Sequence, residues 1–599
     1  MIYIIGMFRQ PSRKSENRWS DLLVLGSVAA LIYAGVTLAA RWTGEGQMAV
    51  EIDLHPSALP KYALFSFSRA AIAYALSLAF SLVYGYCAAK ARRAERVMIP
   101  LLDILQSIPV LGFLPGLVIG LMAVFPKSNV GLELACILMI FSGQAWNMTY
   151  SFYSSVKAVP QDLSEACGVM RLSWMERLKR LELPFAAIGL AWNSLMSMAG
   201  GWFFLTVCES FPLGERKFQL PGVGSYMAVA IEQGDHRAMV FGIGAMVGII
   251  LFVDFLIWRP VMVWVRKFRM EEVHDEVASL PFVTVLLRDS VLIRKLKPFW
   301  SRKHPARAGR RRRRIAGAVG LKAARQSTAP LMPIPVDSGG SETYRESSRV
   351  GWKILSELAT PLFALGCLWA AIQLWELVRE LTLRDWRLIF SSTLLTAARV
   401  GVAVLLGSLW TIPFGILVGS SPKLLRFFQP IVQVVASFPA PMLYPLALMI
   451  MFKAGITLHW GSAILMMLGV QWYILFNVLA GGMKITNELR DGLTILSASK
   501  KVLWKRLYLP AVFPTLVVGW FNAAGGAWNA SIVAEHIHYD GRLNAVPGIG
   551  SMISRAAAAG NFPLLAGSLL VMVGAVLLIN NTLWRWLSDL AETRFRMDR

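Results

Sequence analysis

The sequence is short of acids, short of cysteine and empty of the phosphate-binding and metal-binding signatures that would mark a soluble enzyme. Thirty-six Asp and Glu stand against sixty Lys and Arg, a formal net charge of +24 across 599 residues. Five cysteines (Cys87, Cys136, Cys167, Cys208 and Cys367) are scattered with no paired spacing, so neither a disulfide framework nor a zinc site is indicated. The seven histidines are equally dispersed apart from His536 and His538. No G-x-x-x-x-G-K-[ST] loop occurs, which excludes ATP binding through a Walker site. No nucleophile elbow, paired-acid arrangement or metal-ligand cluster stands out, and the chain does not read as a chemical catalyst.

What is present is apolar surface. Hydrophobic residues make up 56% of the chain, and there are 21 Trp; mean hydropathy is +0.53. Such a chain belongs in lipid, where a spanning helix needs about 20 apolar residues because no water is present to satisfy the backbone. Spans are expected near 21–40, 66–89, 98–125, 130–155, 185–208 and 239–263, and again near 357–378, 390–419, 428–452, 460–482, 511–534 and 564–586. The third of each set carries several prolines (Pro100, Pro109 and Pro115; Pro430, Pro439, Pro441 and Pro445) and is expected to be broken or tilted. The first span follows Arg9, Arg13, Lys14 and Arg18 and is flanked by Trp19 and Trp42, as an anchored span is. A secretory leader also opens on basic residues, although its apolar core is shorter.

Basic residues resist translocation, so they fix the orientation. Lys90, Arg92 and Arg93, the loops 157–182 and 484–506, the segment 267–353 and the tail with Arg594, Arg596 and Arg599 fall on one side, taken as cytoplasmic together with both termini. Anionic lipid facing these loops accounts for the sign of the net charge without any nucleic acid.

The two sets of spans are copies. Leu183-Pro184 recurs as Leu509-Pro510, and the same shift of 326 positions carries Trp202 onto Trp528, Glu209 onto Glu535, Pro221-Gly222-Val223-Gly224 onto Pro547-Gly548-Ile549-Gly550, and Trp258-Arg259 onto Trp584-Arg585. Upstream the shift becomes 330, carrying Pro109 onto Pro439 and Asn147 onto Asn477. Both copies start on the same side, which makes them parallel repeats about an axis along the membrane normal, enclosing a pathway where they meet. The expected architecture is an all-α membrane protein of about twelve transmembrane helices: a first repeat at 1–266 with its core at about 66–263, a basic linker at 267–353, and a second repeat at 354–599 with its core at about 390–588. The linker carries Arg310 to Arg314 and a Pro/Gly/Ser-rich stretch, and reads as a solvated tether. Within it, Phe282–Phe299 mixes apolar and basic residues, a pattern also found in helices lying on a membrane surface.

One loop recurs in both halves between the fourth and fifth spans. The first copy runs Ser164, Glu165, Ala166, Cys167, Gly168, then Arg171 and Ser173, then a basic helix with Glu176 that ends at Leu183-Pro184; Ser173 and Glu176 fit a capping box. The second runs Asp491, Gly492, Leu493, then Ser497, then a basic helix ending at Leu509-Pro510. Basic loops alone would follow from topology, but the recurrent acids and Leu-Pro endings would not. The pair resembles the EAA loop of the inner-membrane permeases of binding-protein-dependent ABC importers of the type I fold. That resemblance covers nearly the whole chain outside 267–353. It implies that Glu165, Ala166, Cys167, Gly168 and Arg171, with Asp491, Gly492, Leu493 and Ser497, form coupling helices docked on a cytoplasmic ATPase dimer. The partner would carry ATP and Mg, and this chain would bind no cofactor. It implies as well a solute-binding protein outside a bacterial inner membrane. The family's usual Gly, six positions after the acid, is replaced by Arg171 and Ser497, which leaves the turn geometry open.

Ionisable and polar residues within the spans are candidates for the pathway: Glu209, Glu535 and His536 at the ends of the fifth spans, with Trp202, Trp528, Asn529, Asn147, Asn477 and Gln471. Helix packing and interhelical hydrogen bonding compete for the same residues. An acid followed by a Gly-rich segment resembles the nitrate, taurine and aliphatic-sulfonate branch of the family, and so implies a small oxyanion such as nitrate, a sulfonate or bicarbonate as cargo. Two rivals stand beside this reading. One is a proton-coupled secondary transporter of two six-helix halves, although residues 90–97 lack the Gly pattern of that class and mid-membrane acids are few, Asp254 being one. The other is a membrane scaffold acting through the 267–353 tether.

Overall fold

The computed structural model describes residues 51–268 except 108, 214 and 215, then residues 365, 368, 369, 371–483, 485, 499–539 and 542–595. The expected span at 21–40, half of that at 357–378, and the linker from 269 onward, with its segment at 282–299, lie outside the described residues.

The first repeat opens with α1 (Leu59–Lys90), followed by α2 (Arg92–Ser107), a 3-10 turn at Val110–Phe113 and α3 (Leu114–Val124). Next come α4 (Val130–Lys157), the two short helices α5 (Gln161–Val169) and α6 (Trp174–Arg177), and α7 (Leu183–Cys208). A hairpin of β1 (Ser210–Leu213) and β2 (Arg216–Gln219) leads to α8 (Val223–Glu232), α9 (His236–Val253) and α10 (Arg259–Val265). In the second repeat α11 (Leu383–Gly419), α12 (Pro422–Ala436), α13 (Ala440–Lys453) and α14 (Leu458–Gly482) precede α15 (Lys500–Leu503) and α16 (Leu509–Ala534). Its hairpin is β3 (His536–Tyr539) with β4 (Arg542–Ala545), and α17 (Ile549–Ala558), α18 (Phe562–Ile579) and α19 (Arg585–Arg594) close the chain.

Among the described residues seven helices are long and apolar enough to cross a membrane, or eight when the bent pair α12 and α13 counts as one span. That pair is bent by 89°, and Pro439 caps α13 in an extended conformation. Proline cannot donate to a helix ladder and pushes the residue before it away from helical geometry, so the break falls where the prolines cluster. The corresponding segment of the first repeat breaks at Val110–Phe113, beside Pro109.

The duplication holds element by element. From Leu183 to Trp258 every boundary recurs 326 positions later: α7 becomes α16, the first hairpin the second, α8 becomes α17 and α9 becomes α18. Gly234, between α8 and α9, and Gly560, between α17 and α18, occupy the same left-handed turn at φ 67° and 66°. Even irregularities repeat: π-helical turns interrupt the helices at Leu178–Glu182 and Asp254–Trp258, and again at Trp504–Tyr508 and Asn580–Trp584. A π-turn is costly and tends to be kept where a site needs it. The hairpins are not anticipated by hydropathy, because strands of four residues carry too little alternation to register.

In each repeat α1 or α11 packs along α4 or α14, which in turn packs along α7 or α16. The repeats meet through α7 against α13, α16 against the Val110–Phe113 turn, and α18 against α2. Gly112 permits part of this approach, since a Cβ there would lie 2.1 Å from Leu569 Cδ2 of the other repeat.

Candidate functional site

Three arrangements stand out: a buried ion-pair clamp in each repeat, a pair of cavities between the repeats, and the exposed loop at the basic end of the first.

The clamp of the first repeat is built on Arg69 in α1. Its guanidinium forks onto Glu133 of α4, with Nε donating to Oε2 at 2.6 Å and Nη2 to Oε1 at 2.8 Å. Nη1 donates to Glu209 Oε1 at 2.7 Å and to the Pro221 carbonyl at 3.0 Å. Glu209 also accepts from Ser66 Oγ (2.7 Å) and from the Gly224 N–H (2.7 Å), while Ser66 Oγ accepts from the Val223 N–H at 2.9 Å. All three charged side chains are fully buried. A charge in such a place persists only when paired and saturated with hydrogen bonds, and these are. The Pro-Gly-Val-Gly segment is thereby tied to α1. A Cβ on Gly222 would sit 2.3 Å from the Glu209 carboxylate, and one on Gly224 2.8 Å from it, so the glycines answer to the closeness of that carboxylate.

The second repeat rebuilds the device with fewer charges. Glu535 Oε1 accepts from Arg399 Nη1 (2.8 Å) and Thr396 Oγ1 (2.7 Å), and its Oε2 from the N–H groups of Gly550 (3.0 Å) and Ser551 (3.3 Å). Arg399 reaches the Pro547 carbonyl at 2.6 Å, and Thr396 Oγ1 accepts from the Ile549 N–H. Where Arg69 meets a second acid, Arg399 Nη2 lies 3.4 Å from His459 Nδ1, and the position matching Glu133 is Ala463.

Glu209 and Glu535, expected along the pathway, are held in these clamps. Neither is exposed, the partners named above lie in the same repeat as each acid, and neither lines the two cavities described below. They fasten a loop rather than face a pathway. Arg69, Arg399, Ser66, Thr396 and Glu133 were not singled out from sequence. The signal was available, since the 330 shift that relates Asn147 to Asn477 also carries Ser66-Phe-Ser-Arg69 onto Thr396-Ala-Ala-Arg399.

The inner cavity, about 160 Å³, lies between the repeats and is lined by Asn147, Trp528 and Asn529 among the expected residues, with Ser142, Trp146 and Asn522 beside them. None of its lining residues is an acid or a base. The Trp146 indole N–H has no hydrogen-bond partner among the described residues. A second cavity of about 460 Å³ is lined by both hairpin regions, including His536, Glu232 and Tyr444. The two abut: Val110, Ala440 and Ala530 line the inner one, while Leu111, Pro441 and Ile532 line the other. The partition between them is made by the broken third spans. The remaining candidates lie elsewhere. Trp202, 2% exposed, packs at the seam between repeats. Gln471 accepts from Trp410 Nε1 at 2.8 Å, and Asn477 donates to the Tyr473 carbonyl at 2.8 Å. Trp202 and Gln471 thus take part in packing and interhelical bonding, as residues of their kind between membrane helices do, while Asn477 bonds back within its own helix.

At the basic end, α5 carries Glu165, Ala166, Cys167 and Gly168, and none of its residues is buried. Ser173 caps α6 through the expected box with Glu176. Val169, Met170 and Trp174 are left 86%, 71% and 64% exposed, an apolar surface on a loop that is otherwise charged. Arg171 takes φ 49° between the helices, the one non-glycine residue at positive φ among the described residues. The turn therefore keeps the left-handed geometry that glycine adopts freely, and Arg171 bears the strain of a side chain there. Arg171→Gly is expected to stabilise the loop by about 1 kcal/mol, read as slower proteolysis at 161–182 with unchanged global melting. Behind the loop, Arg177 donates from Nη2 to Ser164 Oγ (3.1 Å) and from Nε to Glu182 Oε1 (2.8 Å), and Lys90 at the end of α1 reaches the same oxygen at 2.5 Å. Nearby, hydrogen bonds from Tyr153 and then Lys157 hold the Glu95 carboxyl below its usual range. Asp491, Gly492, Leu493 and Ser497 of the second loop lie outside the described residues.

Two pseudo-equivalent helix bundles in a membrane, with a cavity at their interface and an elbow projecting from the basic end, define the membrane-spanning part of a transporter. The chain belongs to the family of binding-protein-dependent transport system inner membrane components, which it matches twice, over residues 77–258 and 411–597. It is similar to the nitrate import permease protein NrtB of Synechococcus elongatus, 27% identical over 150 residues, 25% of this chain and 52% of that protein. It is also similar to the bicarbonate transport system permease protein CmpB of Synechocystis, 28% identical over 166 residues, 28% of this chain and 56% of that protein. The chain spans a little over half the length of each of these relatives. Membership twice over gives the class, a fused pair of permease domains with no catalytic role of its own, and disfavours the proton-coupled alternative.

Proposed function

We propose that this chain is the complete channel-forming subunit of an ATP-driven importer, moving a small oxyanion or oxyanion-bearing solute across a bacterial cytoplasmic membrane by alternating access. The observation that carries this is the exposed α5–α6 elbow, joined through Arg177 and Glu182 to the end of α1. A separate ATPase dimer, holding ATP and Mg, grips this elbow and its counterpart at Asp491–Ser497. Closure of the dimer moves the bundles as rigid bodies, which opens one cavity as the other closes across the broken third spans. A solute-binding protein delivers cargo at the hairpin end, and both termini lie on the elbow side.

Relatives named for nitrate and bicarbonate support an oxyanion. So does the lining of the inner cavity, where asparagine amides and the free Trp146 N–H offer donors and no carboxylate repels an anion. A channel without fixed positive charge binds an anion weakly, as a pathway that must also release it requires.

The test is uptake into proteoliposomes carrying the chain with its ATPase, using labelled nitrate, bicarbonate and an alkanesulfonate. Glu165→Arg combined with Asp491→Arg is expected to abolish ATPase attachment and ATP-dependent uptake of whichever anion is carried. Undiminished attachment and uptake in that variant would sink the assignment.

A further inference from the structure

The seam between the repeats holds one polar contact whose chemistry differs from one repeat to the other. Asp254 lies in the π-turn that follows α9, 7% exposed. Its Oδ2 accepts from Arg259 Nε of the same repeat at 3.1 Å, and its Oδ1 accepts from Nε2 of Gln433, in α12 of the second repeat, at 2.6 Å. Leu195, Met198, Trp202, Trp258 and Val434 close around this pair. An ionised carboxylate there can only accept, so the residue opposite must donate.

The repeats are related by constant shifts, so the partners at the other seam can be read off. The 326 shift carries Asp254 onto Asn580, which stands in the matching π-turn after α18. The 330 shift carries Gln433 back onto Asp103, in α2. Helices α18 and α2 do pack against each other. In sequence, then, the position equivalent to Gln433 is an acid in the first repeat, and the position equivalent to Asp254 is an amide in the second. Both acids belong to the first repeat and both amides to the second.

We infer that this arrangement is a pairing code, which makes the first repeat accept the second and reject a copy of itself, so that one chain forms the complete two-bundle unit. Two first repeats placed together by the same pseudo-twofold would set Asp254 against Asp103 at both seams. Two carboxylates at hydrogen-bonding distance in a desolvated contact cannot both stay ionised, and neither can donate without taking up a proton. Two second repeats would set Asn580 against Gln433, which is neutral, so the discrimination resides in the first repeat. Rejection of the wrong partner by an unpaired charge is a common source of specificity between otherwise similar surfaces. The inference concerns assembly and holds whatever solute passes.

The experiment uses the full chain purified into nanodiscs. Gln433→Glu, which places a carboxylate against Asp254, is expected to lower the thermal midpoint and the recovery of intact protein. Adding Asp254→Gln, which exchanges acid and amide across the seam, is expected to restore at least half of that loss. Should Gln433→Glu cost nothing, or should the exchanged pair recover no better than Gln433→Glu alone, the code is refuted. If Gln433→Glu yields no folded protein at all, recovery of the exchanged pair remains the readout. In parallel, two differently tagged copies of the unaltered chain are co-expressed and one tag is captured: absence of the other supports a single-chain unit, and its presence in comparable amount overturns it.

Discussion

Arg69→Ala is expected to leave little recoverable protein. The substitution strips the one cation shared by Glu133 and Glu209, both fully buried, and leaves two carboxylates facing each other across the space it filled. Removing one partner of a buried pair typically costs about 3–5 kcal/mol, and here two buried acids lose the same cation at once. The energy would be recouped by protonating an acid or by letting the Pro221–Gly224 segment come away from α1. Arg399→Ala should be milder, because Arg399 is bound to one acid and to His459, is 8% exposed, and has Thr396 and two backbone N–H groups left to hold Glu535. Detergent-solubilised yield and melting by size-exclusion chromatography would rank the two. An equal loss would mean that Glu133 adds no burden of buried charge. Arg69→Lys should rescue only in part, since an ammonium cannot reproduce the forked contact to Glu133 while still reaching Glu209 and the Pro221 carbonyl.

How much of this was legible beforehand divides along physical lines. Span positions were, because twenty apolar residues in a row have few other uses, and the described helices at 59–90, 130–157, 458–482 and 509–534 fall on the expected segments. The breaks in the third spans followed from proline chemistry at Pro109 and Pro439. The capping box at Ser173 and Glu176 is a local contact between residues three apart, and such contacts survive into the structure with little help from the rest of the chain. The roles of Glu209 and Glu535 were not legible. A conspicuous acid at a membrane helix end invites a pathway role, whereas its actual partners, Arg69 and Arg399, stand 140 and 136 positions away. Hydropathy also treats such an arginine as a penalty within a span, although pairing has already cancelled its cost. Matching the repeats residue by residue, rather than motif by motif, is what exposes the pairing.

The same comparison shows the two elbows to be unequal, and this leads to the second large effect, in coupling rather than stability. In the first repeat the elbow is joined to the bundle through Glu182, fully buried, which receives Arg177 from α6 and Lys90 from the end of α1. The shifts that align the repeats put Tyr508, Leu503 and Ser420 in the places of Glu182, Arg177 and Lys90, so the second repeat has no ions at these places with which to make the same joint. In the proposed importer, force applied to α5 would pass into α1 through charge-assisted hydrogen bonds, each worth about 1.5–3 kcal/mol, whereas at the matching positions of the second repeat Trp504 and Tyr508 make a ring contact. Glu182→Leu keeps the volume and removes the joint, while Lys90 and Arg177, about one-third exposed, turn to water. If that loss falls on the transport barrier, uptake per ATP hydrolysed should drop roughly tenfold or more, with ATPase attachment retained because the exposed face of α5 is untouched. Tyr508→Leu, at the matching place, should change the ratio less than twofold. A parallel fall of uptake and ATP hydrolysis in Glu182→Leu would instead assign Glu182 to holding the ATPase. An unchanged ratio would show that the joint at Glu182 transmits none of the stroke.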